Sequence, residues 1–115
     1  ALDTFASGEP VILGGDLNTA ALPPGAPCPF DRLADHEPLF ARLAAAGFEG
    51  RTANTDHLTQ RMRPDGTPVP PFRRLDWLFA RGFAASSART VPATDPQGVA
   101  LSDHDIVVAN FELIT

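Results

Sequence analysis

Apolar and polar positions follow clear periods in several stretches of the chain. Val11-Ile12-Leu13-Gly14-Gly15 is a short apolar run closed by glycines, which predicts a buried strand feeding a loop at Asp16. Leu39, Phe40, Leu43 and Ala46 recur at helical spacing and form one apolar stripe. They predict a helix capped by Glu37 or Asp35, with Pro38 in its first turn and Gly47 as its stop. Leu75, Trp77 and Phe79 alternate with Asp76 and Leu78, the period of a strand with mixed faces. Ser87 to Val91 predicts a further short strand, and Ile106 to Ile114 the last and strongest one. Between these lie a proline-dense loop at 20–31 and a polar, turn-rich stretch at 51–72, with a turn at Pro64-Asp65-Gly66. A few strands, one clear helix and long loops make the class α+β.

Composition narrows this picture. The chain has 115 residues, room for one domain, and 43% of them are apolar, enough for a core despite twelve prolines. It contains no apolar run of 18 residues, so no transmembrane span is expected. No signal peptide is visible, and the compartment stays open between cytoplasmic and secreted. The single cysteine, Cys28, cannot form an internal disulfide and reads as a bystander in the proline-rich loop. The net charge of −5 argues against a sequence-independent nucleic-acid coat. It leaves room for phosphodiester chemistry, because a bound divalent cation reverses the local sign. All the basic residues are arginine, which fits a GC-rich coding sequence.

Three acidic segments carry the candidate chemistry. Asp16 and Asn18 sit two residues apart at a strand end and point the same way if extended. The carboxylate can activate water or hold a cation, and the amide can donate to a phosphoryl oxygen. The alternative is an Asx-turn that ties the side chains to their own backbone. An EF-hand is excluded, because Ala21 and Pro27 stand where that loop needs glycine and glutamate. Asp76 lies inside an apolar strand and needs a partner. That partner is either Arg73 or Arg74, or a histidine that Asp76 orients. Asp103 and His104 precede the last strand, with Ser102 able to cap the turn. As neighbours in extended chain they diverge, one toward a metal and the other toward a phosphate. Asp35-His36 and Asp56-His57 are surface features on this reading.

Gly15-Asp16-Leu17-Asn18, Arg74-Leu75-Asp76-Trp77 and Ser102-Asp103-His104, in this order and each beside a strand, resemble the endonuclease/exonuclease/phosphatase superfamily of DNase I-like proteins. The resemblance runs from Val11 to the C-terminus. It implies that Asp16 activates the attacking water, Asn18 orients the phosphate, Asp76 buttresses His104, Asp103 helps hold the metal and His104 contacts the scissile phosphate. Catalytic candidates are therefore Asp16, Asn18, Asp76 and His104, and metal candidates Asp103 and Asp16. Magnesium is the expected ion, with manganese or calcium as alternatives. The family usually has proline two residues after the histidine, where this chain has Ile106.

The family's domain is about twice this length, well within the size of one domain. Residues 1–115 resemble its C-terminal half: one mainly antiparallel sheet of a two-sheet α/β sandwich, with a flanking helix and long loops. The implied N-terminal half supplies an Asn, a metal-binding Glu and another catalytic segment, so this chain alone is expected to be inactive. The leading function is a metal-dependent phosphoesterase acting on nucleic acid, a phospholipid head group or an inositol phosphate. The alternative is a non-catalytic binding module that keeps the scaffold. Arg61, Arg63, Arg73 and Arg74 can meet a polyanion or pair with the chain's own acids, and pairing is favoured. An apolar sheet face left without cover predicts a homodimer.

Overall fold

A computed structural model describes residues 8–19, 32–56, 58–63 and 65–114. The proline-rich loop, Cys28, His57 and Pro64 lie outside the described residues. The elements run β1 (Val11–Asp16), α1 (Leu33–His36), α2 (Pro38–Ala45), β2 (Gln60–Met62), β3 (Pro68–Arg73), β4 (Asp76–Arg81), β5 (Phe83–Val91) and β6 (Ile106–Leu113). Antiparallel strands dominate and helices are few, so the class is α+β. Among the described residues no helix is long and apolar enough to cross a membrane.

The expectation of one sheet is corrected: the described residues form three two-stranded ladders, β1–β4, β2–β3 and β5–β6. The cause lies at the second edge of β4. Glu49 and Ala80 exchange both backbone bonds, at 2.8 and 2.9 Å. The Asn54 amide accepts from Leu78 N–H at 2.9 Å and donates to the Leu78 carbonyl at 2.7 Å, standing in for a neighbouring strand. With that edge satisfied, β5 pairs with β6 instead.

The core forms where α2 meets β4. Leu33, Phe40, Leu43, Phe48, Trp77 and Phe79 are buried together, with Val11, Leu13, Leu17 and Ala46 packed around them. Phe40 meets Trp77 edge to face at 4.8 Å between ring centroids. Burial of each such side chain contributes about 1.5–3 kcal/mol. Leu39, expected on the buried stripe, is instead exposed. Helix α2 ends as its sequence predicts. Gly47 takes φ +86°. Its N–H reaches the Ala44 carbonyl and the Phe48 N–H reaches the Leu43 carbonyl, a Schellman motif closed by the Phe48–Leu43 contact. The last strand is less buried than its apolar sequence suggests: Ile106 and Leu113 are both exposed.

Candidate functional site

The site lies where the ends of β1 and β4 meet the segment leading into β6. Asp16 and Asp76 are directly opposed across the β1–β4 ladder. Two carboxylates in that register repel each other. Gly15, at φ +143°, lets the chain reach Asp16 in a conformation that side chains resist. Asn18 follows at φ +55°, and its N–H donates to Asp16 Oδ1 at 2.8 Å. The Asx-turn therefore forms and occupies one carboxylate oxygen. The other, Oδ2, lies 3.8 Å from His104 Nε2. The Asn18 side chain sits on an exposed residue beside this turn.

His104 bridges the two acids. Its Nδ1 is 2.6 Å from Asp76 Oδ2, so the histidine, one of the alternatives open for Asp76, is a partner in the structure. The Arg74 guanidinium stacks 4.2 Å from the Trp77 ring and lies 3.8 Å from Asp56. The His104 backbone N–H donates to Ser102 Oγ at 3.2 Å, the expected turn cap. Asp76 and His104 are mostly shielded from solvent, whereas Asp16 is about half exposed. Burial disfavours the charged imidazole, but the hydrogen bond and charge of Asp76 outweigh it. Asp103 and Asp16 add to them, so the His104 pKa is raised above its ordinary value.

Asp16, Asp76 and His104 each offer a ligand atom, all within 4.8 Å of one another. Asp103 is exposed and outside this group. Its carbonyl accepts the Arg61 N–H at 2.7 Å. The two carboxylates of this group, Asp16 and Asp76, are hard oxygen donors of the kind magnesium takes, and Asp103, the other expected ligand, is not brought into it. Magnesium keeps several waters and takes substrate oxygens as further ligands, so two carboxylates fit it as a partial shell.

Three supporting residues escape sequence reasoning. Thr59 is fully buried and links the backbones on either side of the site. Asp105 receives Arg61 in a two-point ion pair, at 2.6 and 2.7 Å, and accepts the Ala93 N–H at 2.9 Å. Burial pushes the Asp105 pKa up, but Arg61 and the Ala93 N–H outweigh it and the net shift is downward. Thr19 donates to the Arg74 carbonyl and accepts the Trp77 indole N–H at 3.1 Å, fixing the entry to β4. Only Asp105 left a sequence signal, an acid directly before an apolar strand. Compared with protein-family models, curated proteins and solved structures, the chain matches none.

Proposed function

We propose that this chain belongs to a divalent-metal-dependent phosphoesterase and forms the C-terminal part of a DNase I-like sandwich. The observation that carries the reading is the line Asp76–His104–Asp16, with one imidazole nitrogen held by a shielded carboxylate and the other facing an exposed one. Asp76 fixes the ring and favours its charged form. His104 Nε2 then presents an N–H to a non-bridging phosphoryl oxygen and stabilises the charge that develops there. Asp16 orients a water and takes its proton as the water oxygen bonds to phosphorus and the ester oxygen departs. Asn18 is the second donor to the phosphoryl group. Asp16 and Asp103 would hold magnesium, which supplies charge neutralisation in such reactions.

The substrate class is a phosphate ester: a nucleic acid, a phospholipid head group or an inositol phosphate. The test is hydrolysis by the complete gene product, with magnesium, manganese or calcium, of plasmid DNA, sphingomyelin vesicles and inositol polyphosphates. Metal-dependent turnover of one of them is expected, falling about 10²–10³-fold in His104→Ala. Binding of one of these ligands without turnover by any metal form replaces this reading with a non-catalytic binding module.

A further inference from the structure

We propose that Thr59 is the positioning residue of the Asp76–His104 pair, tying the backbone that carries each partner to one buried side chain. The inference rests on the reading of that pair as working groups of the site. Thr59 is 1% exposed. Its hydroxyl oxygen accepts the Leu75 N–H at 3.1 Å and the Asp76 N–H at 3.3 Å. Its own N–H donates to the Arg73 carbonyl at 2.6 Å, and its carbonyl accepts the Asp105 N–H at 2.7 Å. The amide of Asp76 and the amide next to His104 thus converge on a single residue.

The chain geometry explains why a hydroxyl is needed there. β3 ends at Arg73 and β4 begins at Asp76. Across this bend the amides of Leu75 and Asp76 bond to the Thr59 hydroxyl rather than to a strand carbonyl. Buried N–H groups require an acceptor. Next to Thr59, Gln60 pairs with His104 on one side and Arg73 on the other. Arg61 holds Asp103 through the backbone and Asp105 through its guanidinium. Residues 59–61 therefore set the distance between the Asp76 and His104 backbones. A carboxylate–imidazole contact of 2.6 Å tolerates little movement before it is lost.

Proton NMR of the 115-residue chain tests this directly. An imidazole Nδ1–H bonded to a carboxylate gives a protected downfield signal, assigned here by its loss in His104→Gln. The signal is expected in the wild type, in Thr59→Ser, which keeps the hydroxyl, and in Thr90→Val. Thr90→Val removes a hydroxyl pair with Thr55 at 2.9 Å that includes none of Thr59, Asp76 and His104, and controls for a general loss of stability. Thr59→Val should lose the signal. Sucrose is added to keep marginal variants folded. A folded Thr59→Val with an unchanged signal overturns the inference. Should Thr59→Val stay unfolded, Thr59→Ser decides: a retained signal supports the hydroxyl as the tie, and a lost one overturns it. A wild type without the signal overturns the pair itself.

Hydrolysis is measured separately on the complete gene product. There Thr59→Val should lower kcat about 10- to 100-fold with little change in KM, and Thr59→Ser should restore it. If the wild type hydrolyses no phosphate ester, the functional reading falls while the NMR comparison still decides the role of Thr59.

Discussion

His104 is held between two carboxylates, and the stability of the chain should register that. Its folded pKa is raised, so folding favours the charged ring. The contribution is fully present below the ordinary histidine value of about 6.5 and is lost as pH rises through the raised folded value. Urea unfolding of wild type and His104→Gln along a rising pH series should therefore show a stability gap that narrows with pH. A gap that widens would reverse the sign of the shift. The Arg61–Asp105 pair makes a second residue-scale case. Its carboxylate is almost fully enclosed and bonds two of the three guanidinium nitrogens and a backbone N–H. Asp105→Ala leaves those donors without their acceptor and should cost about 3 kcal/mol. Asp35, paired with Arg32 in open solvent, should cost about 0.5 kcal/mol or less when replaced by alanine. Equal losses in thermal unfolding would show that the enclosure of Asp105 is unimportant.

At the scale of elements, what the sequence disclosed depended on how each element is covered. β1, α2 and β4 were legible because each presents a periodic apolar face to one core: Leu13, Phe40, Leu43, Trp77 and Phe79 meet there. β2 and β3 were not. Pro68, Pro70 and Pro71 in β3 read as a loop, yet among the described residues β3 pairs only with β2, in a register that shifts between Gln60 and Met62, an irregular edge setting that tolerates proline. The candidate site divides in the same way. Asp16, Asp76 and His104 stand at the ends of apolar runs and could be found. Thr59 could not, because a buried threonine that serves backbone amides carries no periodic signal. The close approach of Gly50 to β4 was equally hidden. A Cβ at Gly50 would lie 2.5 Å from the Phe79 ring, which is buried in the core and cannot withdraw. At Gly14 the nearest atom is the tip of Leu78 at 2.8 Å, the end of a side chain that can turn away. Gly50→Ala should therefore destabilise by about 1–3 kcal/mol. Gly14→Ala should cost clearly less, and denaturant midpoints compare the two.

For the whole molecule, the distribution of charge and apolar surface makes two demands. Asp16 gives one carboxylate oxygen to the Asn18 N–H, and Asp103 stands outside the Asp16–Asp76–His104 group. Magnesium binding by the 115-residue chain should therefore be weak, with Kd on the order of 1 mM, as in weak carboxylate sites. At about 10 mM magnesium such a site stabilises the fold by roughly 1.4 kcal/mol. Asp16→Asn should abolish that gain, whereas sodium at matched ionic strength should not reproduce it. The second demand comes from the β5–β6 ladder. Val91 and Ile106 face each other at one end, both substantially exposed. Leu101, 72% exposed, belongs to the loop that bonds back to Ala93 beside that end. Leu113 and Ile114 are exposed at the other end, while the packed core gathers on α2 and β4. Single exposed apolar residues are ordinary on a protein surface, but paired ones on an uncovered ladder favour association. The expected outcome is a homodimer at micromolar concentration in sedimentation velocity. Ile106→Glu, set opposite Val91 on the ladder, should shift it to monomer without lowering the unfolding midpoint measured on dilute protein. A wild type that sediments as a monomer and binds no ANS would mean that the β5–β6 face needs no partner.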